Sequence, residues 1–149
     1  MMKRSRMVLV VDDDLEYVSL LSRALGATYA VTVAADGEEA IMKARIAKPD
    51  VIVLDVMMPG GKDGFSTFCE LRKDPATRNI PVIMCSEVGR KTGLPFGGES
   101  MEQFLGAAPA AFLEKPISAE RLLDELRKVL DDERLSKKAP RKSKGDTSD

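Results

Sequence analysis

Five short apolar runs punctuate the chain: MVLVV at 7–11, YAVTVA at 29–34, VIVL at 51–54, PVIMC at 81–85 and a run opening at Ala110–Leu113. Runs this short, unbroken and rich in β-branched residues predict strands covered on both faces. Between them the period changes. Leu15, Val18, Leu21 and Leu25 recur at helical spacing, with Gly26 as the stop and Asp14 as the cap. Asp36 and Glu39 are spaced as a capping box and open a helix carrying Ala40, Ile41, Ala44 and Ala47, which ends before Pro49. Asp63 caps and Gly64 opens a third helix, with Phe65, Phe68, Cys69 and Leu71 on its apolar side and its end near Asp74-Pro75. Ser118 caps a last helix that turns Leu122, Leu123, Leu126, Val129 and Leu130 inward.

Strand and helix thus alternate, with short connections. That rhythm predicts an α/β fold in which a parallel sheet carries helices on both faces. It breaks once. Glu87–Ser100 (EVGRKTGLPFGGES) has no period, and the helix expected after it, around Ser100–Leu105, is short. Apolar periodicity stops after Glu133. The expected organisation is a basic extension over 1–6, one domain over 7–133 and a disordered basic tail over 134–149.

Charge sharpens this division. Residues 134–149 hold six Lys/Arg against two Asp, and residues 1–6 hold three Lys/Arg. Subtracting these from the totals of 23 basic and 24 acidic residues leaves Met7–Glu133 with 14 and 22, an acidic body of net charge −8 between basic ends. The tail reads first as a solubilising segment, with weak nucleic-acid or membrane contact as the lesser alternative. No apolar run approaches a membrane span, and Met7–Val11 is too short for a signal peptide, so a cytoplasmic protein is expected. Cys69 and Cys85 have neither disulfide-framework nor metal-site spacing and read as core thiols. The chain has no histidine, which excludes Ser-His-Asp triads, His general bases and His-ligated metals.

The remaining chemistry gathers at the carboxyl ends of the strands. The first run ends on Asp12 and Asp13, the third on Asp55, the fourth on Ser86 and the fifth on Glu114-Lys115-Pro116. A parallel sheet brings these ends to one edge, where open α/β folds build their sites. Taken alone, Asp55 is equally compatible with capping its loop; helix capping is the lesser reading of Asp12 and Asp13. Together, three carboxylates would repel one another unless a cation joins them. An all-oxygen set suits a hard octahedral ion, Mg²⁺. Lys115 and Ser86 would add a positive charge and a hydroxyl donor against a phosphoryl group on Asp55, since an ionised carboxylate is itself a competent nucleophile.

With VVDDD, LDVMMPG followed by DG, IPVIMCS and FLEKP in order at these strand ends, the chain resembles the receiver domains of bacterial two-component response regulators over about residues 7–131. The resemblance implies a flavodoxin-like doubly wound (βα)5 fold with sheet order 2-1-3-4-5. It implies phosphorylation of Asp55 by a sensor histidine kinase or phosphotransfer protein. Asp13, Asp55 and the Met57 carbonyl would bind Mg²⁺ directly and Asp12 through water. Ser86 and Lys115 would hold the phosphoryl oxygens, Lys115–Pro116 would be a cis peptide, and Ser86 and Phe112 would be the switch pair. Simple core is the alternative reading of Phe112, since a Phe lacks a hydroxyl. The face built from the fourth helix, fifth strand and fifth helix would bind an unidentified output protein, as a monomer or a phosphorylation-linked dimer. No DNA-binding domain follows, so a stand-alone signalling receiver is expected rather than an enzyme with an external substrate.

Three features depart from the family pattern. Gly61 and Lys62 put two residues where one is usual between Pro-Gly and Asp-Gly, Glu87 replaces a small residue beside the acyl phosphate, and the loop after Ser86 is long. By the same resemblance, Met57 and Val88 would occupy the positions that border the path of a hydrolytic water. Both are apolar, and with Glu87 they predict slow loss of phosphate. An aspartyl-phosphate phosphatase would need an Asp where Met57 stands, and a dinucleotide-binding domain a Gly-rich turn where Asp12-Asp13-Asp14 stands. The remaining alternative is a degenerate receiver that binds partners without phosphorylation.

Overall fold

The computed structural model describes residues 5–57, 63–86 and 109–138, with side chains as far as Asp131. The readings on Met58–Lys62, on Glu87, Val88 and the rest of the long loop, on the short helix near 100–105, and on residues 1–4 and 139–149 lie outside the described residues. The described elements are β1 (Met7–Val11), α1 (Leu15–Leu25), β2 (Ala30–Ala34), α2 (Gly37–Ala47), β3 (Val51–Asp55), α3 (Gly64–Lys73), β4 (Val82–Ser86), β5 (Ala111–Glu114) and a C-terminal helix, Ala119–Lys138. That helix continues five residues beyond Glu133, where apolar periodicity ends, so helical backbone reaches into the segment read as a disordered tail.

The five strands form one parallel sheet in the order β2-β1-β3-β4-β5, as the resemblance implied. Every residue of the central strands β3 and β4 is buried, which explains why they read as unbroken apolar runs. Alternate residues point to opposite faces. Leu9, Val11, Ile52, Leu54, Val82 and Met84 meet Ala40, Ala44, Phe68 and Leu71 of α2 and α3. Val8, Val10, Val51, Val53, Ile83 and Cys85 meet α1 and the C-terminal helix through Val18, Leu21, Leu25, Leu122 and Leu126. Burial raises the Cys85 thiol to about 12, an inert core thiol as expected, whereas Cys69 is half-buried.

The caps follow the sequence closely. Asp14 accepts from the Tyr17 amide at 3.2 Å, Asp36 from Glu39 at 2.8 Å, Asp63 from Ser66 at 2.8 Å and Ser118 Oγ from Arg121 at 3.1 Å. Glu39 reaches back to the Ala35 amide at 2.9 Å, one residue further than the simplest capping box. Small boundary differences have local causes. Tyr29 does not start β2, because its amide is taken by Leu25 O at 2.8 Å in the turn that ends α1. Pro81 has no N–H for the ladder, so β4 begins at Val82 while the Pro81 carbonyl accepts from Ile52 at 3.0 Å. Leu15 is 73% exposed rather than part of the core, since α1 starts beyond the edge where β1 ends and its first residue has no strand beneath it.

Candidate functional site at the carboxyl edge of the sheet

The strand ends converge as the topology requires. Asp12 follows β1, and its backbone stays tied to the sheet through Asp12 N to Ala34 O at 3.1 Å. Asp55 is the last residue of β3, in register with Cys85 of β4, and Val56 continues the ladder by donating to Cys85 O at 3.0 Å. Both carboxylates are about 95% buried, with exposures of 4% and 5%. Asp13 is exposed. One carboxylate oxygen from each of Asp12, Asp13 and Asp55 lies within 4.8 Å of the others.

Gly64 sets how closely the next helix approaches this edge. A Cβ there would stand 2.4 Å from the Asp55 carbonyl oxygen and 2.5 Å from Val56 Cα. Without one, the Gly64 amide donates to Val56 O at 2.9 Å, and α3 begins directly against the end of β3.

Lys115, just past β5, links the two buried carboxylates. Its Nζ is 2.9 Å from Asp12 Oδ2 and 3.4 Å from Asp55 Oδ1. The other oxygen of Asp12 accepts from the Asp14 amide at 3.0 Å. Burial alone would lower the Lys115 pKa, but the bond to Asp12 and the charge of Asp55 outweigh it and hold the ammonium above its ordinary value. In Asp55 the balance favours the neutral form instead. Burial first, then the Asp12 charge, raise its pKa from 3.8 to about 6 against the opposing pull of Lys115 and of the Met57 amide, which donates to the carboxylate. The site therefore carries more negative charge than Lys115 neutralises. Its donors are all hard oxygens, which fits a small divalent cation such as Mg²⁺ and not a thiolate- or imidazole-seeking metal.

The other predicted residues fall around this centre. Ser86 is fully buried at the end of β4, and its carbonyl accepts from the Lys115 amide at 3.0 Å. Met57 is 58% exposed, an apolar side chain just after Asp55. Lys115–Pro116 is a cis peptide. Phe112, in register with Met84, packs partly buried against the α2–α3 side of the core. Sequence reasoning missed Tyr17, whose ring centroid is 4.9 Å from Lys115 Nζ. The available signal was an aromatic residue in the first turn of the helix that follows Asp12 and Asp13.

The family profile for the response regulator receiver domain matches residues 8–127. Response regulator PleD of Caulobacter vibrioides is 40% identical over 126 residues, covering 84% of this chain and 26% of PleD, so the chain spans about a quarter of that relative. Among solved structures, Vibrio cholerae chemotaxis protein CheY4 superposes with a TM-score of 0.70 at 33% identity, over 85% of this chain and all of CheY4. The receiver domain of Francisella response regulator 1452 gives 0.70 at 30% identity, over 86% and 98%. Among the described residues, no helix is long and apolar enough to cross a membrane.

Proposed function

The chain belongs to the family of response regulator receiver domains, and from that membership we propose that Asp55 accepts a phosphoryl group from a histidine kinase or phosphotransfer protein and passes the signal to an output partner. The observation that carries this reading is the buried Asp12–Lys115–Asp55 arrangement with Asp13 at its mouth. An Asp55 carboxylate oxygen attacks the phosphorus of the donor phosphohistidine. The new O–P bond forms as the P–N bond breaks, and the imidazole leaves with the electron pair. Lys115 stands where its ammonium neutralises charge on the transferred group, and the Met57 amide holds the acceptor carboxylate in place. Asp13, Asp55 and the Met57 carbonyl would hold Mg²⁺ directly, with Asp12 acting through water. When bound, the ion supplies the positive charge that three carboxylates and a phosphoryl group otherwise lack. Ser86 adds a hydroxyl donor to the phosphoryl oxygens.

Acetyl phosphate with Mg²⁺, followed by intact mass and acid-labile phosphate, tests the assignment. One phosphate on the wild type and none on Asp55→Asn is expected. Equal incorporation in both would move the acceptor elsewhere. No incorporation, with partner binding retained, would favour a receiver that works without phosphorylation.

A further inference from the structure

The first turn of α1 delivers an aromatic ring to the strand-end site. Asp14 caps the helix through the Tyr17 amide, and the ring face then lies 4.9 Å from Lys115 Nζ, within cation–π reach. The ring also packs against the core shared by α1 and the C-terminal helix, which fixes its position. Its hydroxyl oxygen is buried with no hydrogen-bond partner among the described residues. Burial pushes the phenol up to about 12, so Tyr17 is neutral and attracts the ammonium through its ring rather than through a phenolate.

Among the described residues, Lys115 thus meets Asp12 at 2.9 Å, Asp55 at 3.4 Å and the Tyr17 ring. The two carboxylates are the groups that phosphorylation changes. A divalent cation would compete with Lys115 for their oxygens, and phosphorylation would replace the carboxylate charge of Asp55 with the charge of the phosphoryl group. The ring is altered by neither event. We propose that Tyr17 is a positioning residue whose ring face is the constant seat of the Lys115 ammonium, keeping it beside Asp55 while Asp12 turns to the metal and Asp55 becomes the acyl phosphate. This deepens the phospho-acceptor reading and rests on it.

The test uses the full chain with Mg²⁺ and beryllium fluoride, a mimic of the phosphoryl group on Asp55, observed by fluorine NMR. Tyr17→Leu should weaken beryllium fluoride binding by about fivefold to thirtyfold, and Tyr17→Phe, which keeps the ring, by about twofold at most. Affinity for Mg²⁺ alone should change less than affinity for beryllium fluoride, whereas a general loss of structure would weaken both alike. A Tyr17→Leu variant that binds like the wild type, or a Tyr17→Phe variant that loses as much as Tyr17→Leu, overturns the inference. A wild type that takes up no beryllium fluoride overturns the underlying reading instead, before any substitution is made. If Tyr17→Leu fails to fold, the wild type decides: the ring should shift the Lys115 ε-methylene protons upfield both free and loaded, and loss of that shift on loading overturns the proposal.

Discussion

Replacing the acceptor should make the metal-free protein more stable at neutral pH. Asp55 is buried beside Asp12, and its pKa in the fold is about 6 against an ordinary 3.8. A carboxyl group with a raised pKa favours the folded state in its protonated form. Below the ordinary value it costs nothing; as pH rises through the folded value the cost grows to its full size. A shift of this extent corresponds to about 3 kcal/mol at most. The site opens to solvent at the sheet edge, so screening reduces the expected effect to about 1–2 kcal/mol. Asp55→Asn removes the charge and keeps the shape. In urea denaturation without divalent cations, it should raise stability by that amount at about pH 7.5 and change it little at about pH 4. Millimolar Mg²⁺ should narrow the gap by stabilising the wild type more than the variant. A variant less stable than the wild type at neutral pH, or a gap that ignores both pH and Mg²⁺, would refute the claim that the site is under-neutralised.

Lys115→Ala should have the opposite sign, losing about 1–3 kcal/mol at neutral pH because two buried carboxylates are left facing each other, with partial recovery in Mg²⁺ during chemical denaturation. Gly64→Ala should cost about 1–3 kcal/mol in the same assay, since its Cβ would meet backbone atoms of Asp55 and Val56 that cannot swing aside. Once the phosphorylated protein is freed of donor, the aspartyl phosphate should persist for minutes or longer, and Met57→Asn should shorten its lifetime by giving an incoming water a polar partner. A wild-type lifetime of seconds, or an unchanged one in Met57→Asn, would remove Met57 from control of water access.

The sheet and its edge were legible because their signals are local. Four unbroken apolar runs each stop at a polar group, and a parallel sheet has one carboxyl edge to which those stops must go. The caps were legible for the same reason: Asp14, Asp36, Asp63 and Ser118 each satisfy an amide three residues on. Leu15 shows where periodicity misleads. It has the spacing of a core residue, yet burial depends on what lies beneath the helix at that height, and the sheet has already ended. Tyr17 was hidden by a related ambiguity. An aromatic in a helix reads as core, and half of its surroundings are core; the other half comes from Lys115, which lies 98 positions further along the chain. Contacts across such separations follow from the sheet order, β1 next to β3 and β3 next to β4, rather than from any pattern inside α1.

That same order explains why the site stores charge rather than dispersing it. β1 and β3 are adjacent and parallel, so the residues that end them are held side by side, and both ends carry aspartates. A neutral or solvated pair would fold more easily. The fold instead accepts a raised Asp55 and offsets part of the cost with one lysine from β5, two strands away from β3. Lys115 cannot satisfy both carboxylates equally: it sits at 2.9 Å from Asp12 and 3.4 Å from Asp55. The weaker contact is on the residue proposed to receive the phosphoryl group. Asp55 therefore keeps nucleophilic character that a tight ion pair would quench, while the ammonium stays near enough to meet the charge that arrives with the phosphate. The mutual repulsion of these carboxylates is free energy that a bound cation would release, and its binding would couple this edge to the stability of the whole sheet.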